Sequence, residues 1–233
     1  MALLTREDLE NDTLRNHRMD ELHHVPLVPQ AEFDASFERI LEGWGPADDI
    51  WVFGYGSLIW NPLFKYTDHR LATIHGFHRC FCLRSRHGRG SVEIPGLMLG
   101  LDFGGTCKGI AFRIAARDVR HELKLVWRRE MVSGSYAPRW LAARTGNERV
   151  KAIAFVVNHA HQQYAGKLPQ ETVIRTLATA HGKFGSGADY LYQTVDCLAR
   201  HGVRDTYLSQ LREHVMKITH GVHHAVPCPE VGA

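Results

Sequence analysis

The sequence predicts an α+β domain built on a curled or closed sheet, with strands first and helices dominating the end. Three observations lead there. Runs rich in β-branched and aromatic residues, bounded by glycine or proline, gather between residues 50 and 157. Helical periodicity takes over near residue 170 and persists to 218. Regular alternation of strand and helix is absent, which argues against a doubly wound parallel sheet.

The elements follow in order. Thr5 starts a short helix, with acids Glu7 and Asp8 in its first turn. His23 to Pro29 break the helix and read as an extended linker. Phe33, Phe37, Ile40 and Leu41 recur at helical spacing, so residues 30–43 read as a second helix packed on the main body. Residues 1–48 are thus a helical extension, residues 49–218 the main domain, and residues 219–233 a tail. Strands are predicted at 50–56, 70–84, 96–103, 107–114, 137–143 and 149–157. Gly104-Gly105-Thr106 reads as the tight turn of a hairpin. One helix is predicted over 117–131, and three more near 170–181, 187–201 and 204–218.

Composition narrows the function classes. The 233 residues suffice for one large domain with a substantial core. Apolar residues make up 44% and charged residues 23%, as in an ordinary soluble globular protein. A formal net charge of +3 is too small to imply nucleic acid or a membrane surface as the main partner. No apolar run reaches the length of a membrane span, and the first twenty residues lack a signal-peptide core. Five widely spaced cysteines argue against a disulfide framework, so a reducing cytoplasm is the expected location.

Two segments carry chemistry. The first is the stretch from Trp51 to Pro62, a buried strand running into a glycine turn at Gly54 and Gly56. Ser57 and Leu58 follow without a helix signal. Successive backbone N–H groups at such a turn form a cradle for an anion or a developing oxyanion. The second is the helix over 117–131. Val119, Leu123, Val126 and Trp127 form its apolar stripe. Glu130 lies eleven residues after Val119. At about 100° per residue it returns to within roughly 20° of the same direction. The helix therefore points a carboxylate inward, where burial would raise its pKa and suit it to proton transfer. Taken by itself, this window favours the bland reading, a Glu130 that emerges into water or pairs with Arg128 or Arg129. Tyr136 reads as a contact for a substrate polar group or as a half-buried strand residue.

Together these segments make the chain resemble the ChaC-like γ-glutamylcyclotransferases, bacterial type. The stretch FGYGSLIWNP at 53–62 carries the likeness, followed in order by GFHRCFCLRS at 76–85, RG at 89–90, PG at 95–96 and WRREMVSGSY at 127–136. The resemblance runs from about Asp49 to near residue 200. It implies a small β-barrel flanked by helices. It also implies glutathione as substrate, cleaved to 5-oxoproline and cysteinylglycine without a cofactor or metal. Glu130 matches the catalytic glutamate. Tyr55, Gly56, Ser57 and Leu58 match the substrate-cradling turn, and Arg84 and Tyr136 sit in matching segments as substrate contacts. Other γ-glutamyl peptides or amines, or a non-catalytic binding role, are the alternatives. The oligomeric state is not readable.

The remaining signals are bland. Ser57 lacks the glycine two residues later that a nucleophile elbow needs, since Ile59 stands there. His159 and His161, and His220, His223 and His224, read as solvated loop and tail histidines. Cys80 and Cys82 share one side of a strand and read as packing or half-exposed thiols. Gly182, Gly185 and Gly187 read as a flexible connector between helices, which the resemblance places near the substrate opening.

Overall fold

A computed structural model describes residues 4–16 and 26–220. The expectations for His23 to Val25, and for the tail beyond His220 with His223, His224 and Cys228, lie outside the described residues. Five strands form a closed barrel: β1 (Ile50–Gly54), β2 (Asp68–Ser85), β3 (Gly96–Ile114), β4 (Tyr136–Thr145) and β5 (Glu148–Val157), in the order β1-β3-β2-β4-β5. Parallel pairing of Trp51 with Ala152 and Val52 with Ile153 closes the ring. Val52 and Phe53 in β1, and Ala152 through Val157 in β5, are buried at successive positions. Continuous burial of this kind belongs to strands covered on both faces, here by the barrel interior and the outer helices.

The structure corrects the expected hairpin at Gly104-Gly105. β3 runs unbroken against β2, from Gly96 opposite Ser85 to Arg113 opposite Asp68. The register shifts between His75 and Phe77, where Gly76 (φ 84°) faces Gly104 (φ 95°) and Gly105 (φ 72°). A bulge and a tight turn ask for the same left-handed glycine backbone, so sequence alone does not separate them. The ribbon instead turns through residues 86–95.

The helices are α1 (Arg6–Glu10), α2 (Gln30–Ile40), α3 (Ser57–Trp60), α4 (Val119–Glu130), α5 (Gln170–Thr179), α6 (Gly187–Arg200) and α7 (Thr206–Ile218). Thr5 and Asp8 cap α1 reciprocally, as the sequence suggested. α2 buries Phe33 and Phe37 in the common core, with Phe37 edge-on to Trp127 at 5.6 Å. α3 was not expected. It is a single turn that Gly56 precedes and Asn61-Pro62 ends. The glycine connector holds two two-residue strands, β6 (His181–Gly182) and β7 (Gly185–Ser186). Asp205 caps α7 and also pairs with buried Arg79 on β2 at 3.1 Å, joining the helical layer to the barrel.

Among the described residues no helix is long and apolar enough to cross a membrane. Cys80, Cys82 and Cys107 are free thiols, whereas Cys197 is disulfide-bonded.

Candidate active site

A cavity of about 150 Å³ opens where α3, the C-terminal end of α4 and the turn end of the β2–β3 ribbon converge. Glu130, Ser57, Arg84 and Tyr136 line it. The helical arithmetic thus resolves in favour of an inward Glu130, because the stripe of Val119, Leu123, Val126 and Trp127 is buried as expected. The ion-pair reading holds as well. Arg129 Nε lies 3.1 Å from Glu130 Oε1, and the glutamate side chain is 12% exposed. Burial pushes the Glu130 carboxyl above its ordinary pKa, and the Arg129 guanidinium only partly opposes this. Arg129 itself is lowered by burial and also donates to the Asn61 carbonyl.

The other expected residues divide. The Tyr136 hydroxyl donates to the Leu99 carbonyl at 2.9 Å, which leaves its oxygen lone pairs toward the cavity chemistry. Tyr55 is turned into the barrel, where its hydroxyl donates to the Phe155 carbonyl at 2.8 Å. Burial pushes both phenols well above their ordinary pKa, so both stay neutral donors. Gly56 and Leu58 lie behind the wall that Ser57 contributes. A Cβ on Gly56 would meet the Tyr190 hydroxyl at 2.9 Å, so glycine lets α6 approach the turn. Arg84 is exposed at the rim.

Sequence reasoning assigned no site role to two other cavity residues, Arg89 and Tyr190. Arg89 is 5% exposed, lies 5.7 Å over the Trp60 ring and 5.3 Å over Tyr190, and has its pKa lowered by burial to about 10. The RG pair at 89–90 was the available signal, but nothing local shows that the guanidinium folds inward. The loop carrying it is pinned by β6. Lys183 and Phe184 donate backbone N–H groups to the carbonyls of His87 and Gly88. A Cβ on Gly182 would lie 2.6 Å from Gly90 N and O. The connector is therefore a fixed clasp, and Phe184 reaches the cavity.

Cys80, Cys82 and Asp102 place potential metal-ligand atoms within 4.8 Å of one another. The Asp102 carboxylate already accepts from His159 at 2.6 Å, Tyr164 at 2.9 Å and its neighbour Phe103 N at 2.7 Å. His159 also stacks on Tyr164 at 4.4 Å, while remaining 44% exposed in its loop as the sequence context suggested. His161 is partly buried, which lowers its pKa.

Comparison with known proteins agrees with this geometry. The family model described as ChaC-like protein matches residues 50–218. The chain is 38% identical over 170 residues to the glutathione-specific gamma-glutamylcyclotransferase of Escherichia coli K12, covering 72% of this chain and 74% of that protein. It is 30% identical over 192 residues to mouse glutathione-specific gamma-glutamylcyclotransferase 1, covering 79% and 84%. A crystal structure of a yeast γ-glutamyl cyclotransferase specific to glutathione superposes with a TM-score of 0.67 over 76% of this chain and 99% of that one; at 22% identity it speaks for the fold. The barrel, the inward glutamate and the extent of these matches agree, and the chain belongs to the ChaC-like protein family.

Proposed function

We propose that this protein is a γ-glutamylcyclotransferase acting on glutathione, with residues 49–218 carrying the chemistry. The observation that supports the reading most is Glu130, a carboxyl raised by burial on the wall of a cavity that also holds buried cations and neutral hydroxyls. Family membership supplies the substrate class.

The substrate brings its own nucleophile. Its α-amino nitrogen attacks the γ-glutamyl carbonyl carbon, the five-membered lactam closes, and the C–N bond to cysteinylglycine breaks. Holding the γ-glutamyl chain folded supplies a large effective-molarity advantage. The ammonium must lose a proton before attack, and the departing amine must gain one. Glu130 takes this proton and returns it to the leaving nitrogen as the C–N bond breaks. The second proton, shed by the ring nitrogen as the lactam forms, follows the same route, so the amine leaves as an ammonium and the cycle closes with no net proton change. Arg129 at 3.1 Å keeps the carboxylate from being raised too far to accept a proton near neutrality.

Glutathione carries two carboxylates. Arg89, buried, suits the α-carboxylate that enters with the γ-glutamyl group, and Arg84, at the rim, suits the glycine end. The Ser57 and Leu58 N–H groups at the strand-to-helix turn are the donors for the developing oxyanion, while the Tyr136 hydroxyl, its proton given to Leu99, offers lone pairs to the substrate ammonium. Tyr55 positions the turn through its bond to Phe155. Reduced glutathione belongs to a reducing compartment, and a cytoplasmic location goes with this reading.

The experiment is 5-oxoproline release from reduced glutathione near neutral pH, with chelator present, for wild type beside Glu130→Gln. Release by wild type with loss in the variant supports the assignment. Release by both overturns the role of Glu130, and release by neither overturns glutathione as substrate.

A further inference from the structure

The cavity wall is incomplete without a segment that lies outside the family match. Leu4 and Leu14, from the chain before residue 50, line the same cavity as Glu130. They are held there by a set of contacts with the walls. The two guanidinium nitrogens of Arg6 each lie 2.8 Å from an oxygen of Glu122, whose side chain is 3% exposed. Glu122 also accepts from Lys65 N at 2.7 Å. Asn61, itself a cavity residue, donates to the Leu4 carbonyl at 3.1 Å. Arg128, two residues from Glu130, donates to the carbonyls of Leu9 and Glu10. Leu9 is fully buried, which anchors α1 between these two ends. A half-buried bidentate pair and backbone caps of this sort hold a segment more firmly than an exposed ion pair does.

The chemistry of the two contributed side chains is one-sided. The cavity lining includes the carboxylate, the guanidinium groups and the hydroxyls that a γ-glutamyl group needs. Leu4 and Leu14 join Trp60, Val132 and Phe184 as apolar wall. They offer no partner to a carboxylate, and only the cysteinyl side chain of the tripeptide is free of charge and of obligatory hydrogen bonds.

We propose that the segment of residues 4–16 is an apolar lip of the substrate cavity, and that Leu4 and Leu14 set which sulfur substituents are accepted. The lip admits the free thiol and excludes bulky thioethers on steric grounds. This inference rests on the proposed cyclotransferase reading. It assigns to the N-terminal segment a role in substrate selection beyond the conversion of glutathione itself.

The test compares kcat/KM for 5-oxoproline release from reduced glutathione and from S-benzylglutathione, in wild type, in a Leu4→Ala/Leu14→Ala double variant and in Arg6→Gln. Shortening the two leucines is expected to raise the ratio of S-benzylglutathione to glutathione by about tenfold or more, the scale on which apolar pockets discriminate size. Releasing the lip by Arg6→Gln is expected to raise the same ratio, and it decides the matter if the double variant does not fold. An unchanged ratio in the folded variants, with wild type active on glutathione, overturns the lip. A wild-type enzyme inactive on glutathione overturns the underlying reading instead. A ratio already near one in wild type also overturns the lip.

Discussion

Replacing Glu130 by glutamine removes a proton acceptor and leaves its shape. The amide oxygen can still accept from Arg129 Nε, which lies 3.1 Å away in the native pair, so the helix end and cavity should keep their form. What disappears is the ability to take a proton from the substrate ammonium and return it to the leaving amine. One positioned acid–base group contributes about 10²–10⁴ in rate, or roughly 2.7–5.5 kcal/mol of barrier. Glu130 serves both transfers, so kcat should fall toward the upper end of that range with a small change in KM. The stability terms oppose one another. A neutral side chain relieves the burial that raises the carboxyl, but leaves the guanidinium of Arg129 less compensated. Steady-state 5-oxoproline release beside a thermal melt separates these effects. The pH profile adds a second readout. Because burial raises the Glu130 carboxyl, the acidic limb of the wild-type kcat profile should lie above the ordinary carboxylate range and vanish in the variant. The native state also holds this proton to higher pH than the unfolded chain does. The stability it contributes is full below the unfolded value and is lost as pH rises through the native value. A Glu130→Gln enzyme within about tenfold of wild-type kcat, with an unchanged melt, would refute the reasoning.

Three further outcomes are expected. Burial works against the Glu122 carboxylate, but the bonds from Arg6 and Lys65 N outweigh it and lower its pKa. The stability this gives is present above the unfolded value and is lost as pH falls below about 4, so proteolysis of residues 4–16 should accelerate there; cleavage independent of pH would contradict it. Gly182→Ala would drive a Cβ into the Gly90 and His87 backbone. It should unpin the Arg89 loop and raise KM for glutathione more than it lowers kcat, which steady-state kinetics will show. Tyr136→Phe leaves the buried Leu99 carbonyl without its donor. It should cost about 1–3 kcal/mol in urea unfolding, and a loss under a few tenths would argue for another donor.

Much of this was legible in the chain because it is written at short range. The stripe of α4 follows from helical period, and the strands from runs such as Ala152 to Val157. The period aligns Glu130 with the stripe, but the helix end leaves a solvent-facing carboxylate open, and only the cavity decides between them. Gly104-Gly105 misled because its backbone preference suits two different structures. α3 escaped notice because one turn is too short for a periodic pattern. Arg89 and Tyr190 become site residues only when residues about a hundred positions apart meet, as the rings of Trp60 and Tyr190 do around the guanidinium. The Arg6–Glu122 pair likewise spans 116 positions, and no local pattern marks either partner.

Arg129 and Glu130 are consecutive in the chain, and both side chains reach one cavity because the helix ends between them and open space. A counter-ion on another domain or subunit can be withdrawn to silence a catalytic acid. Here the counter-ion is the next residue on the same helix, so no domain or subunit motion can carry it away. The charge balance of the acid is settled as soon as the last turn of α4 folds, before substrate arrives. Any physiological restraint on turnover would therefore have to act on who enters the cavity, because the proton-transfer group comes ready-assembled.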